Sequence, residues 1–599
     1  MKPASTLTLA LAVLSLLLFT ACSEAPEDDG PAPVTYVHSM DGAPKSLDPA
    51  RASSIYGKTL VLNLYDTLYR YRYLARPYAL APNLAAALPE FSEDGLTLTI
   101  RLKEGVRFVD DPAFPDGVGR EVVASDVVYS LLRHFDPETQ SQGAWLWRER
   151  IEGLEEWKAA GADYDAPPPG LRALDEHTLQ LRLTQPYPQI VYTLTQGYAA
   201  VLPREAVAYH GEGLGTHAVG SGPFRLISVD RTRAVLERNS AFRQEPVSLA
   251  AEGFDPAFDE GLGLERIEGR APPFLDRLEV EFIREDAARW NAFFAGETEF
   301  LKLPVAQFDR VLESRDPVRL QPNMAERFHV QAAPEAGFVY TSFNMDDPAI
   351  GDHPDPDQDE RNRALRCAIV KAFDWPTRNQ QFSGGLGRVF PGVIPPVVPE
   401  FNPDLDPTSI THDLEGAQAL LTEYGWNAEN LPVLKWGFPS SVTDRQLFEL
   451  FRGYMVTLGF PAEKVQPLVY ASFGDFLRAF TNREVMLVTT GWTLDYPDAE
   501  NTLQLFYGRN ASPGANNGNF DDEEFNRLYR EAAVLEPSPE RTALFQAMNQ
   551  RVLDECAAIS GLNRRLLLLW SRELAMQPDR AFVGGYFFRF IDRLTPEVP

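Results

Sequence analysis

Three stretches of the chain carry the apolar patterns of β-strands. Residues 96–102 (LTLTIRL) and 178–184 (TLQLRLT) alternate between apolar and polar side chains. Successive side chains of a strand point to opposite faces of a sheet, so both stretches predict strands with one buried face. Residues 566–570 (LLLLW) form a short apolar run between two arginines, which predicts a strand that is buried on both faces.

Other stretches carry apolar residues at intervals of three and four, which is typical of amphipathic helices. One is predicted to be capped by Ser125, a second to be capped by Asp413 and ended by Gly425, and a third to open at Asn362 and be stopped by Pro376. Ser and Asp are favoured at helix N-termini because their side-chain oxygens accept a hydrogen bond from the first turn. Strands and helices therefore alternate along the chain, which predicts an α/β or α+β fold. Loops are predicted at 163–170, 246–270 and 346–361.

The N-terminus has the pattern of an export signal. Residues 7–19 are almost wholly apolar, and as a helix they would reach only about 20 Å, which is short for a bilayer and typical of a signal peptide. The sequence LFTAC at 18–22 resembles a bacterial lipobox. We therefore expect a signal peptide at 1–21 and lipidation of Cys22, with ordinary signal cleavage nearby as the alternative. Residues 22–33 are rich in Pro, Asp and Glu and predict a flexible tether.

Composition narrows the class of protein. The chain has 599 residues, of which 44% are hydrophobic and 24% are charged, a balance typical of soluble globular proteins. At roughly 100–200 residues per domain, this length predicts about three or four domains or lobes. Lys and Arg number 56 against 85 Asp and Glu, for a net charge of −29. Nucleic-acid binding needs a basic surface to contact phosphates, so we expect no nucleic-acid partner.

Sequence motifs for catalysis and metal binding are missing. The chain contains neither HExxH nor GxSxG. His210 and His217 have no third metal ligand in the sequence around them, which favours solvated or backbone-bonded histidines. The acidic residues at 355–360 lack the glycine of a calcium loop and favour a solvated insertion. The glycines at 384–387 favour a plain turn over a phosphate-binding loop. We therefore expect no metal, no cofactor and no enzymatic activity.

A series of short blocks follows one another along the chain: SLDP (46–49), LYDTL (64–68), DGLTLTIRLKEGVRF (94–108), ASDV (124–127), VGSGPF (219–224), PFLDR (273–277), FNM (343–345), AFD (372–374) and GWTLDYPD (491–498). Together they resemble the solute-binding lipoproteins that serve ABC importers of peptides, nickel and related solutes, known as family 5. Any one block alone gives modest support for this resemblance. All of them in this order, over nearly the whole chain, support it strongly.

The resemblance implies a three-lobed, periplasmic-binding-protein-like α/β fold of type II, cluster C. Two large lobes would close on a ligand around a hinge, with a third lobe inserted into the first. Lobe I is expected at 34–64, 201–340 and 570–599, lobe II at 65–200, and lobe III at 341–569.

The resemblance also implies a ligand site in the last block. Asp495 would hold the ligand α-ammonium, because a buried ammonium needs a fixed counter-charge. Gly491 and Thr493 would lie on a strand that pairs with the ligand backbone, and Trp492 would form a rigid wall. A turn carboxylate at Asp495 and a core position for Trp492 remain the alternatives. Thr489 stands where some members have a basic residue, so no rule for ligand length follows. No histidine occurs in this region, which disfavours nickel.

The implied function is that of an extracytoplasmic lipoprotein, monomeric and anchored to a membrane by its lipid. It would capture peptides and deliver them to an ABC permease and ATPase complex. Alternatives are another solute, such as an oligosaccharide or opine-like compound, a sensor or envelope chaperone, and an exported hydrolase. Cys367 and Cys556 could pair in an oxidising compartment, but their apolar surroundings in the sequence favour two buried free thiols.

Overall fold

The computed structural model describes residues 33–578 and 586–594. The predicted signal peptide 1–21, the lipidation site Cys22 and the tether 22–33, apart from its last residue, lie outside the described residues. In the part of the chain that is described, no helix is both long and apolar enough to cross a bilayer.

Two four-stranded sheets lie in the N-terminal half of the chain. The first has the strand order Thr35–Met40, Arg277–Phe282, Arg233–Arg238, Phe224–Val229, and its first pair is parallel. The second has the order Glu90–Phe91, Thr97–Arg101, Thr178–Arg182, Leu171–Ala173, and all its pairs are antiparallel. Both alternating stretches are thus confirmed as strands. Leu98 lies opposite Leu181 and Ile100 opposite Leu179, and all four are buried because they share the covered face.

The helix predicted after Ser125 is confirmed as Ala124–Leu132, but Ser125 does not cap it. The N-cap is Val123, whose backbone N–H donates to the Asp126 carboxylate at 2.9 Å. A capping box contains two hydrogen bonds, and one of them joins a side chain of the first turn to the N–H of the capping residue. The Asp126 carboxylate makes this bond. The sequence pattern therefore located the helix but assigned the wrong capping residue.

The C-terminal half is built on a six-stranded sheet with the order Arg388–Val389, Ala558–Asn563, Gly337–Phe343, Leu487–Thr493, Leu434–Pro439, Val465–Tyr470. Every residue of Gly337–Phe343 is buried, and strands flank it on both edges. A large apolar cluster packs on this sheet. The longer helices that accompany it are Pro356–Ala372, Trp375–Ser383, Leu414–Glu423, Val442–Leu458, Phe473–Thr481, Glu523–Ala533 and Pro539–Asp554.

Two predictions about these helices are wrong and one is confirmed. The helix expected to open at Asn362 begins at Pro356, with Asp355 as its N-cap, so the acidic run lies in the first turn of a helix rather than in a loop, while Asp355 and Asp357 are exposed to solvent as expected. Acidic side chains there complement the positive end of the helix dipole. Pro376 lies in the first turn of Trp375–Ser383 and does not stop the preceding helix. Asp413 caps Leu414–Glu423, as predicted.

The described residues also contain shorter helices and three two-stranded sheets. The predicted loop at 246–270 contains two helices of four residues, Leu249–Glu252 and Pro256–Asp259. The remaining helices are Ile55–Leu64, Leu154–Ala159, Ile190–Thr193, Arg204–His210, Asp286–Ala295, Phe308–Val311, Pro322–Ala325 and Glu500–Leu503. The two-stranded sheets are Tyr69–Tyr71 with Leu80–Pro82, Leu312–Arg315 with Val318–Leu320, and Leu574–Ala575 with Asp592–Arg593.

The chain passes twice between a three-stranded sheet and the six-stranded sheet. The three-stranded sheet has the order Phe300–Lys302, Arg565–Ser571, Phe328–Pro334, which confirms the strand predicted at 566–570. Glu335 lies on the first passage and Arg564 on the second, and their side chains form an ion pair at 2.6 and 2.9 Å. The Glu335 backbone N–H also donates to the Arg564 carbonyl at 2.8 Å. The two passages are therefore tied to each other.

The predicted lobe limits fall close to these passages but inside strands. The limit at 340/341 divides Gly337–Phe343, and the limit at 569/570 divides Arg565–Ser571. The change from one sheet to the other occurs instead at 335–336 and at Arg564. The chain from Thr35 onward forms one compact unit, so the division into three lobes stays a prediction.

Cys367 and Cys556 form a disulfide, so the expectation of two free thiols is wrong. Cys367 lies in the helix Pro356–Ala372 and Cys556 follows the helix Pro539–Asp554, with their Cα atoms 5.2 Å apart. Beside them the Arg366 guanidinium donates to the Glu555 carbonyl, which holds the two segments together. Both cysteines are half-buried. Their distance along the chain concealed this proximity.

We expect the double variant Cys367→Ser/Cys556→Ser to lower the free energy of unfolding by about 2–5 kcal/mol, because the bond closes a long loop and restricts the unfolded chain. The sequence separation is 189 residues. Urea unfolding of the variant and of the wild type, each with and without dithiothreitol, measures the effect. Dithiothreitol should shift the wild type but leave the variant unchanged. Equal unfolding of reduced and oxidised wild type would contradict the prediction.

Candidate functional site

The strand Leu487–Thr493 is paired along one edge and open along most of the other. Gly337–Phe343 pairs with it over its full length. Among the described residues, Leu434–Pro439 pairs with it only at Leu487 and Val488. The far edge of residues 489–493 therefore has no strand partner in that part of the chain. An exposed strand edge can accept an extended peptide as an additional strand.

Close packing of the main chain holds this strand in place. A Cβ atom on Gly337 would lie 2.2 Å from the Trp492 carbonyl oxygen, so only glycine fits opposite Thr493. The Thr489 hydroxyl meets the Thr341 hydroxyl at 2.7 Å, which locks the register between the two strands. Gly491 differs from Gly337, because a Cβ there would make only ordinary contacts at 3.6 Å or more. The space above Gly491 is open, and the residue is exposed.

Asn501 positions two of the predicted site residues. Its side-chain oxygen accepts from the Trp492 indole N–H at 2.9 Å and from the Asp495 backbone N–H at 3.1 Å. Asn501 is fully buried in the short helix Glu500–Leu503. Trp492 is partly buried and packs against the large apolar cluster. Its indole donor is therefore engaged by Asn501. Sequence reasoning did not select Asn501, because it lies beyond the recognisable block.

The carboxylate of Asp495 is largely buried beside a lysine. Its side chain is 15% exposed, and Lys58 Nζ lies 4.0 Å from Asp495 Oδ1. Burial raises the pKa of the Asp495 carboxyl, while the Lys58 ammonium and the Asn501 side chain lower it. At 4.0 Å the ammonium is too far for a hydrogen bond, so a closer cation would bind the carboxylate more strongly. Asp495 does not point into bulk solvent.

Lys58 was also missed from the sequence, although it is the one cation in the apolar helix Ile55–Leu64. Its ammonium lies 4.8 Å from the centre of the Tyr198 ring, a cation–π contact. Burial and then the charge of Asp495 raise the pKa of Tyr198 to about 12. A lysine and a tyrosine from the first 200 residues thus face an aspartate near residue 500.

Residues of the predicted lobe II also contact this region. The Gln196 side-chain amide donates to the Asp495 carbonyl oxygen. The Tyr187 and Tyr496 hydroxyl groups are 3.2 Å apart, and the Tyr192 ring stacks on the Tyr496 ring with centroids 5.8 Å apart. Segments assigned to all three predicted lobes therefore meet at Asp495 and Tyr496.

Asp498, in the same sequence block, has a different role. Its carboxylate binds both terminal nitrogens of Arg541, at 2.7 and 2.9 Å, and both side chains are almost completely buried. Glu400 lies 3.7 Å from the same guanidinium. Burial and then the negative charge of Asp498 raise the pKa of Glu400 to about 7. Asp498 therefore belongs to a buried ion pair.

Two cavities are described, of about 830 and 550 Å³. Both are lined by residues in the range 45–215, and the larger one contains Arg120, Tyr129 and Arg204. Neither of these two is lined by the predicted ligand residues at 491–495. The geometry of the candidate site therefore rests on the strand edge and on Asp495.

The expectation for His210 and His217 is wrong. Both imidazole Nε2 atoms contact the carboxylate of Asp111, at 2.8 and 2.7 Å. The two rings stack with centroids 4.0 Å apart. Neither ring is simply solvated or backbone-bonded, because the fold brings a buried aspartate from about 100 residues earlier in the chain against them.

Solved structures with this fold include periplasmic binding proteins. The Helicobacter pylori protein DppA, an ABC transporter-associated periplasmic binding protein solved with the peptide STSA, superimposes with a TM-score of 0.70 at 19% identity. The match covers 94% of this chain and 98% of that one. The multi-lobed α/β binding-protein fold predicted from the sequence is confirmed.

The chain belongs to the bacterial extracellular solute-binding proteins of family 5, whose middle-region model matches residues 79–514. The resemblance stated from the motifs is confirmed. The dipeptide-binding protein of Escherichia coli K12 is 23% identical over 564 residues, which cover 92% of each chain. Heme-binding protein A of Haemophilus influenzae is 23% identical over 571 residues, which cover 91% of each.

Proposed function

We propose that this protein is an extracytoplasmic lipoprotein that captures peptides between its lobes by hinge closure and delivers them to an ABC importer. The observation that carries the proposal is the open edge of residues 489–493, which leads directly to the half-buried carboxylate of Asp495. The name of the Escherichia coli relative, a dipeptide-binding protein, and the peptide in the Helicobacter pylori structure support the same ligand class.

The strand edge suits a ligand whose main chain is recognised. An extended peptide carries one N–H and one C=O per residue, and leaving such a group buried and unpaired costs about 1–3 kcal/mol. Pairing with the main chain of 489–493 would satisfy the N–H and C=O groups of the ligand without contacts to the ligand's side chains. Gly491 contributes because its open upper face lets a ligand approach the strand closely.

Asp495 suits the ligand's α-ammonium. Within the protein, the Lys58 ammonium is a positive charge beside Asp495, but at 4.0 Å it is too far away to donate a hydrogen bond to the carboxylate. A peptide ammonium within about 3 Å would make the charge-assisted bond that Lys58 does not make. Lys58 and Asp495 belong to different predicted lobes. A ligand that binds Asp495 would therefore also change the Lys58–Asp495 contact between those lobes.

The proposed location rests on three features. Residues 1–21 carry the signal pattern, and Cys22 ends a sequence that resembles a lipobox. The disulfide is typical of proteins outside the reducing cytosol. We propose a monomer held by its lipid at the periplasmic or other extracytoplasmic face of a membrane, with the permease and ATPases of an importer as partners and with no nucleic-acid partner, cofactor or catalytic activity of its own.

Calorimetric titration tests the ligand class. We expect tri- to pentapeptides with a free N-terminus to bind the purified protein, and N-acetylated peptides of the same sequence to bind at least tenfold more weakly. The physical reason is that acetylation removes the charge that Asp495 would pair with. Mass spectrometry of small molecules that co-purify with the protein gives an independent measurement.

Three outcomes would contradict the proposal. Equal affinity for free and acetylated peptides would show that the ligand ammonium does not contribute to binding. Binding of an oligosaccharide series, with no peptide bound, would favour a different solute. Recovery of cleaved peptides after incubation, detected by chromatography, would favour an exported hydrolase.

A further inference from the structure

A second cluster of ligand-binding side chains lies apart from the candidate peptide site. It consists of Asp111, His210 and His217, and one ligand atom from each lies within 4.8 Å of the others. None of these residues contributes to the strand edge or contacts Asp495. The cluster is therefore independent of the proposed peptide binding.

The carboxylate of Asp111 is held in a fixed orientation. The side chain is almost fully buried, and the backbone N–H of Ala113 donates to Oδ1 at 2.9 Å. The Asp111 backbone itself is tied into its loop, because its N–H donates to the Gly117 carbonyl and its carbonyl accepts from Phe114. Such supporting hydrogen bonds orient a carboxylate ligand before a metal arrives.

Both histidines present the same ring nitrogen to this carboxylate. His210 is the last residue of the helix Arg204–His210, and His217 follows the turn Gly211–Gly215. Their Nε2 atoms lie 2.8 Å from Oδ1 and 2.7 Å from Oδ2, respectively. Opening these distances slightly would allow one ion to contact two nitrogens and one oxygen at about 2.0–2.2 Å each.

We propose that Asp111, His210 and His217 form a binding site for a divalent transition-metal ion of the Zn²⁺ class. Imidazole nitrogen favours such ions, whereas Mg²⁺ and Ca²⁺ require oxygen ligands. Each imidazole binds as the neutral base through Nε2, so its proton moves to Nδ1 or is released to solvent. Three protein ligands leave a fourth position for water or for a donor from a bound molecule.

The ion would connect two predicted lobes. Asp111 belongs to the predicted lobe II, and the two histidines belong to the part of lobe I that resumes at 201. Asp111 is joined to the two histidines by hydrogen bonds, so coordination would strengthen this junction. We therefore expect metal binding to raise the melting temperature of the whole protein, since a ligand that binds only the folded state stabilises it.

Titration of the tag-free protein with Zn²⁺ alone tests the site. We expect one Zn²⁺ per chain, a higher melting temperature, and at least tenfold weaker binding to His217→Ala. This variant suits the test because the His217 side chain is 47% exposed, so its removal opens no buried cavity. Ca²⁺ and Mg²⁺ should give no comparable shift.

His177→Ala is the matched control, because His177 Nε2 contacts the Glu121 carboxylate at 3.0 Å without a second histidine. It should bind Zn²⁺ like the wild type. The visible absorption of Co²⁺ gives a spectroscopic readout that does not depend on stability, and we expect its intensity to fall in His217→Ala and in Asp111→Asn. Unchanged Zn²⁺ affinity in His217→Ala, or no binding to the wild type, would overturn the proposal.

Discussion

Asp495→Ala is expected to weaken the binding of a peptide with a free N-terminus by about 2–5 kcal/mol, because the ligand ammonium would be buried without its counter-charge. Lys58 would add to the loss, since its ammonium would then face the ligand's positive charge without Asp495 between them. Calorimetric titration with one peptide and both proteins measures the difference. Tight binding that is unchanged in the variant would refute the assignment of Asp495.

The same carboxylate predicts a pH dependence with a definite sign. Burial raises the pKa of Asp495, and only the deprotonated form attracts an ammonium. Affinity should therefore fall as the pH is lowered through this raised pKa, and Asp495→Asn should show no such fall. Because burial disfavours the charged form, Asp495→Asn should not lower the free energy of unfolding. A large loss of stability in this variant would point to a structural role instead.

Asp498→Ala is expected to lower the free energy of unfolding by about 3 kcal/mol, although Asp498 lies only three residues from Asp495. It would leave the Arg541 guanidinium buried without its bidentate partner. Breaking such a pair from one side costs about 3–5 kcal/mol. We expect the lower value because Glu400, 3.7 Å from the guanidinium, can ionise more readily once the charge of Asp498 is removed.

Urea unfolding of Asp498→Ala beside Asp495→Ala measures this contrast. The double variant Asp498→Ala/Glu400→Gln should lose more than Asp498→Ala alone, since Glu400 could then no longer supply a negative charge beside Arg541. A loss below about 1 kcal/mol in Asp498→Ala, or equal losses in the two aspartate variants, would contradict the division of roles within the block.

Sequence patterns predicted what depends on neighbours along the chain. The alternation at 96–102 and 178–184 gives two adjacent strands, because burial of one sheet face selects apolar residues at every second position. Asp413 caps a helix since its side chain needs only the N–H groups of the next turn. The ordered blocks indicated the family, and with it the fold, without any knowledge of contacts.

The same local reasoning failed where a competing partner lay close by in the chain. Ser125 was a plausible cap, but Asp126 reaches the Val123 N–H and so moves the start of the helix. The acidic run at 355–360 resembled a solvated loop, although acids at the first turn of a helix give an equivalent pattern. Composition alone does not separate these cases, because the same residue types favour both.

By itself the sequence determined the fold family, the amphipathic elements and the block that contains Asp495. Only the tertiary structure decided which groups meet: Lys58 with Asp495, Asp111 with two histidines, and Cys367 with Cys556. The physical reason is that hydrogen bonds and ion pairs act over a few ångströms in space, whereas these partners are about 100 or more residues apart in the chain.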